Sequence, residues 1–334
     1  MKKIIFLFLI TLITFSCAKK PQNSEGDQDI VPLEEVLPKL ILYTGGDIIT
    51  MDGDSYNLLE AVVTSGDEIV FAGSQNDARK SYPNAKLHQL NGNTLMPGFV
   101  EPHVHPSLAA TMLPNEIIAP YDWVLPTGTK KGVSGHENYI DAITKSITEN
   151  AKDGEMYFIW GYHQLWHGDL SRDIINAITK DKPVGIIHRS FHEIYLNDGA
   201  IELLGIKADD YKGNPQVEWD KGHFYEGGWL ELVPKMAPIM LESTRYMEGL
   251  GMMTQLIQKN GITSIAEPGF PSSDFNGELA LLKKEMAKNP PYDVYLIPSG
   301  TQLFGMKGGN KEAMAFMETL ESIYNTDNIQ FLPK

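Results

Sequence analysis

The hydrophobic pattern begins with a run that is apolar almost without a break from Ile4 to Phe15, preceded by the basic start Met1-Lys2-Lys3 and followed by Ser16 and Cys17. The run is shorter than the roughly 20 residues needed to cross a bilayer and fits the apolar region of a secretory signal. From Ala18 to about Pro38 the chain turns polar and acidic, the composition of a tether. β-Rich runs follow at Leu40–Met51 and Ala61–Ala72, with Gly45-Gly46 and Ser65-Gly66-Asp67 as turn signals, and the pattern continues over Lys86–Leu95 with Asn91-Gly92-Asn93. These predict a small β module over residues 39–97.

After Pro97 the period changes. Apolar strand-like runs at Leu95–Val104, Met156–Tyr162, Val184–Arg189, Ile262–Ala266, Val294–Pro298 and Ile329–Leu332 alternate with helical periodicity at Asn138–Ala151, Glu242–Lys259, Glu278–Ala287 and Lys311–Tyr324. This alternation predicts an α/β fold with a parallel sheet, and its repetition indicates a (β/α)8 barrel of the TIM type. Fewer strands can be counted than the eight that close such a barrel, so the expectation is an incomplete one over residues 98–334, a fragment of a longer protein.

Composition changes this picture in two places. The 334 residues carry a formal charge of −15, with no basic excess to neutralise phosphates, which argues against nucleic acid as a partner. The single cysteine, Cys17, cannot form a disulfide within the chain, and it stands directly after the apolar run. Thr-Phe-Ser-Cys (14–17) resembles a bacterial lipobox, with Thr14 where leucine is usual. An ordinary cleaved signal with an incidental cysteine is the alternative. The expectation is a signal peptide at 1–16, a lipidated tether at 17–38, and an exported protein held through Cys17 to the membrane of the periplasm, outer membrane or cell surface.

Chemistry concentrates in Met96-Pro97-Gly98-Phe99-Val100-Glu101-Pro102-His103-Val104-His105-Pro106. Histidines at i and i+2 on a strand face the same way, and at the C-terminal end of a first barrel strand they face the barrel mouth. Neutral imidazoles there suit Zn²⁺, Mn²⁺ or Fe²⁺ and leave positions for water. A bare His-x-His pair is common; Pro-Gly-Phe before it and the β module upstream make it specific.

PGFVEPHVH resembles the first-strand motif of the metal-dependent amidohydrolase superfamily, with Glu101 in the place of the usual aspartate. Within it, the chain is similar to the amidohydrolase 3 branch, which includes proteins like N-substituted formamide deformylase. The similarity continues through WGYHQLWH (160–167), IIHRSFHEIYLNDGAIELLGI (186–206) and GITSIAEPG (261–269). It implies a β-sandwich module of the family's composite domain before the barrel, and one or two divalent ions, zinc foremost, held by His103 and His105. It also implies a water activated to cleave a carbon–nitrogen bond of a small amide, formamide or cyclic amide. The matching segments make His192 and Glu267 candidate catalytic groups, and Trp160, His163 and Asn197 candidate substrate contacts. His192 reads equally as a hydrogen-bonded structural histidine and Glu267 as an acidic helix cap. His163 stands where the branch has an acidic or polar residue. Trp123, Trp160 and Trp166 form either an aromatic wall or core packing. His88 and His223 read as surface residues. The family's barrel lysine, later histidines and last-strand aspartate are expected beyond residue 334. The competing reading is a surface lipoprotein that keeps the scaffold without catalysis.

Overall fold

A computed structural model describes residues 39–53 and 58–332. The expected signal, Cys17 and the tether lie outside the described residues. The chain divides into two compact units, with the boundary between Met96 and Pro97.

In the first unit, β1 (Leu40–Ile49), β2 (Leu58–Ser65) and β3 (Glu68–Gly73) form an antiparallel meander. A short helix, α1 (Gln75–Ser81), starts where the Ser74 hydroxyl accepts the Asp77 N–H, and it returns the chain to β4 (Lys86–Gln89). β4 pairs parallel with β1, giving the order β3-β2-β1-β4. Two expectations are corrected here. Among the described residues the module is one sheet packed by a helix rather than a sandwich, with Ala78 of α1 buried against Leu42, Ala61 and Val63. Gly45-Gly46 is also not a turn. It lies inside β1, at an irregularity between Thr44 and Ile48, where a Cβ on Gly46 would sit 2.1 Å from the Asn93 carbonyl oxygen.

The second unit starts with β5 (Phe99–Glu101), which Pro97 and Pro102 bracket. Then come α2 (Pro106–Met112), β6 (Glu116–Ile117), the hairpin β7 (Trp123–Leu125) and β8 (Gly128–Lys130), and α3 (His136–Asn150). β9 (Tyr157–Tyr162) leads through α4 (Gln164–His167) and α5 (Arg172–Ile178) to β10 (Val184–His188). Both strands are buried almost residue by residue, as continuous apolar runs in a covered parallel sheet are. β11 (Glu193–Leu196), α6 (Asp198–Leu204), β12 (Val217–Glu218), β13 (His223–Tyr225), α7 (Gly227–Met240) and α8 (Ser243–Lys259) follow. The unit continues with β14 (Ile262–Phe270), α9 (Phe275–Met286), β15 (Asp293–Pro298), α10 (Gly300–Lys307), α11 (Asn310–Met317), α12 (Leu320–Tyr324) and β16 (Ile329–Phe331).

These strands make two main sheets, ordered β12-β13-β11-β10-β9-β6 and β16-β15-β14-β5. The α/β class agrees with the sequence pattern, but among the described residues no sheet closes. β5 pairs with β14 instead of β9, and the antiparallel β11 occupies the edge of β10 where a next parallel strand would go. The helix expected over 311–324 is broken, because the Thr319 hydroxyl bonds back to the Phe316 carbonyl and ends the first segment. Among the described residues no helix is long and apolar enough to cross a membrane.

α2, which starts immediately after His105, is held by α8 at a close crossing. A Cβ on Gly249 would lie 2.1 Å from the Ala110 carbonyl oxygen, whereas one on Gly251, two residues on, meets nothing within 4 Å. Gly249→Ala is therefore expected to lose about 1–3 kcal/mol of stability through overpacking, and Gly251→Ala to gain about 0.5–1 kcal/mol from helix propensity. Urea midpoints that move the same way for both variants would contradict this crossing.

Candidate active site

His103 and His105 lie just past the end of β5, in the loop that enters α2, so the strand geometry expected for them does not apply. The loop nevertheless brings their rings together, with centroids 5.3 Å apart and planes at 87°. It is fastened to β14. The Val104 N–H donates to the Ala266 carbonyl at 3.0 Å, and the Ser107 N–H and hydroxyl each donate to a different oxygen of Glu267 at 3.1 Å. The His105 pKa is lowered by desolvation first and by the charge of His103 second; the backbone of Pro268, which has only a carbonyl to offer, pulls the other way. His105 is therefore a neutral ring at pH 7.

Glu267 is only 2% exposed. Burial lifts its pKa to about 8, against the lowering effect of Ser107's hydroxyl and N–H, and the charge of Glu278 adds to the rise. Its position combines the two readings open from the sequence. It sits beside the histidine loop, and it caps a helix, though α2 rather than a neighbour in sequence. Pro106 has no N–H and His105 makes no side-chain cap, so the Ser107 amide is the first donor of α2 and Glu267 is its acceptor.

The other sequence candidates are scattered. Trp160 is buried in the core against Trp123, centroids 4.9 Å apart, and Phe191, and its indole N–H has no partner among the described residues. Asn197 is corrected outright. It is fully buried, its amide oxygen accepts the Val184 and Ala200 N–H groups, and its NH₂ donates to the Thr179 and Lys182 carbonyls, so nothing is left for a substrate. His192 is exposed and pairs with exposed Glu226, Nδ1 to Oε2 at 3.1 Å. His163 caps α4, its Nδ1 accepting the Leu165 N–H at 3.2 Å. Its ring lies 4.6 Å from that of Trp166 and 4.8 Å from that of His188. His223 is corrected as well: it is nearly buried, stacked on Tyr195, with Nε2 2.8 Å from Glu193. His188, Arg189 and Ser107 were missed in the sequence, where only the break of the apolar run VGII at His188-Arg189 marks the first two.

Among the described residues no three or more His, Cys, Asp or Glu side chains gather as a metal site. His103 and His105 offer two imidazoles, fewer than the three protein ligands of a catalytic zinc site. Two surface hollows, of about 490 and 400 Å³, are lined by neither histidine nor by Glu267.

No family model matches the chain. Over 219 residues it is 23% identical to N-substituted formamide deformylase of Arthrobacter pascens, a match covering 51% of this chain and 40% of that protein. A shorter stretch of 68 residues is 32% identical to imidazolonepropionase of Roseobacter denitrificans, covering 20% of this chain and 17% of that one. The solved structure of an uncharacterized metal-dependent hydrolase from Pyrococcus horikoshii superposes with a TM-score of 0.61 at 19% identity, over 87% of this chain and 53% of that one. The chain is similar in sequence to these two enzymes over part of its length and shares its fold with the Pyrococcus hydrolase. It spans about half the length of the solved hydrolase and less of the two curated relatives.

The burial of Glu267 has a measurable signature. With a folded-state value near 8 against 4.5 unfolded, the folded chain keeps a proton that the unfolded chain has released. The associated stability is complete below pH 4.5 and is lost as pH rises through 8. In metal-free protein this amounts to about 3 kcal/mol between pH 5 and 8. Glu267→Gln, which keeps an acceptor for the Ser107 N–H, should flatten that slope. Parallel pH–stability curves for the two proteins, from urea unfolding with chelator present, would falsify the assignment.

Proposed function

We propose that this chain carries the first metal-binding motif of a hydrolase that cleaves a carbon–nitrogen bond in a small amide or formamide. The observation that carries this reading is the His103/His105 pair, delivered by PGFVEPHVH and fastened to β14 beside Glu267. The similarity to a formamide deformylase supports the substrate class, and the fold shared with a metal-dependent hydrolase supports the cofactor. A divalent ion, zinc by its preference for imidazole, supplies an activated water when bound. His103 and His105 are its ligands from this chain. Glu267 holds a proton at neutral pH on a carboxyl locked against Ser107, which suits it to donate toward a departing nitrogen. His192, exposed and oriented by Glu226, is the candidate for polarising a carbonyl.

The absence of a third donor among the described residues favours a second reading, a scaffold without catalysis. Metal analysis separates the two. Protein purified with zinc present should retain about one ion or more per chain and hydrolyse N-substituted formamides. The His103→Ala/His105→Ala double variant should lose the metal and at least about a hundredfold in rate. Wild-type protein that binds no divalent ion sinks the hydrolase reading; metal bound without turnover of any amide supports the non-catalytic one.

The same proposal places the protein outside the cytoplasm, anchored through Cys17, on the pattern of Met1-Lys2-Lys3, the apolar run Ile4–Phe15 and the lone cysteine. Expressed in bacteria with labelled palmitate, the wild type should take up label and fractionate with membranes. Cys17→Ser should do neither, and equal labelling of the two would remove the anchor.

A further inference from the structure

Two more histidines meet where β9 and β10 end, and their tautomers follow from their bonds. The Leu165 N–H donates to Nδ1 of His163, and the Ser190 N–H donates to Nδ1 of His188 at 3.1 Å. A nitrogen that accepts an N–H carries no proton, so each neutral ring keeps its hydrogen on Nε2. The Ser190 hydroxyl lies 2.7 Å from the same Nδ1 and accepts the His192 N–H. His188 is only 5% exposed, and its Nε2 has no partner among the described residues. An N–H donor is thus buried with nothing to donate to, one ring away from His163 at 4.8 Å. A neutral Nε2–H has no lone pair for a metal, so this pair differs in kind from a metal site. What it lacks is an acceptor.

A cation stands beside the pair. The Arg189 guanidinium lies 5.7 Å from the centre of the Trp166 ring and 6.0 Å from that of Tyr121, and it has no carboxylate partner among the described residues. Trp166 in turn packs on His163. Desolvation and the Arg189 charge both keep His163 and His188 unprotonated. The nearest acid, Glu193, is 3.9 Å from Nδ1 of His188, on the side already used, and its other oxygen is bonded to His223. An arginine stacked on aromatic rings keeps its fork free for a planar oxyanion.

We propose that the ends of β9 and β10 form a binding site for a small organic carboxylate, with Arg189 and the Nε2–H groups of His163 and His188 as donors and Trp166 as the apolar wall. Arg189 and His163 meet the ligand from solvent, and His188 forms the inner end. None of these residues belongs to the His103, His105 and Glu267 group, so the site stands whether or not the chain hydrolyses an amide.

The test uses metal-free full-length protein titrated with benzoate, benzamide and inorganic phosphate, followed by calorimetry and by long-range ¹⁵N–¹H spectra of the imidazoles. Benzoate should bind saturably, and the free spectra should report both rings as Nε2–H tautomers whose signals shift on binding. Arg189→Gln, a change at an exposed position, should weaken benzoate roughly tenfold or more, and benzamide should bind wild type about as poorly. Trp166→Leu serves as a second variant and should weaken benzoate without loss of the Nε2–H signature. The proposal falls if benzoate does not saturate, if Arg189→Gln binds it unchanged, if phosphate binds as tightly as benzoate, or if either ring is an Nδ1–H tautomer.

Discussion

The contact between Glu267 and Ser107 ties the two ends of the candidate site together. A helix that begins His-Pro-Ser has lost one N–H to proline and has no side-chain cap, so its first amide must find an acceptor elsewhere. It finds one 160 residues away, on β14. Because the acceptor is a carboxyl buried without a cation among the described residues, the energetic solution is to hold a proton rather than a charge. Together with the Val104 amide on Ala266, this fixes where His105 leaves the loop. The α2–α8 crossing at Gly249 then holds the helix from behind. Position of the histidine loop is thus set by long-range contacts on both sides, not by a rigid strand beneath it.

That explains what was legible in the sequence. Runs buried on both faces announced themselves: β9 and β10 fall within the expected apolar segments, β15 starts one residue before its segment and β14 runs four residues past its own, and α3, α8 and α9 start and stop within a few residues of their periodic patterns. Elements whose reason lies elsewhere in the chain did not. α1 buries only Ala78, too little for a periodic signal. The antiparallel β11–β13 pairing carries no turn dipeptide, since the chain travels through α6 and β12 before it returns.

The site was legible in type more than in arrangement. PGFVEPHVH marked the two histidines, and their rings do meet, but Pro102 stops the strand before them. Asn197 shows the opposite error. Its spacing from His192 matched a family segment, yet its amide serves four backbone groups that only the folded chain assembles, among them the start of β10 and the first turn of α6. A polar residue in a functional segment is thus read correctly only when its bonding capacity is counted against its neighbours.

The same count divides the histidines of the second unit into two chemical kinds. His163 and His188 spend Nδ1 as an acceptor for a backbone amide, so what they present outward is a proton. For His105 the backbone group that acts on its pKa is that of Pro268, which can only accept. Backbone carbonyls play that part behind metal-bound imidazoles, and backbone amides cannot. Residue type and spacing say nothing of this difference, because a histidine's role follows from whether an N–H or a C=O stands behind it. On that criterion one chain offers a lone pair to a cation at the histidine loop and N–H groups to an anion at the ends of β9 and β10.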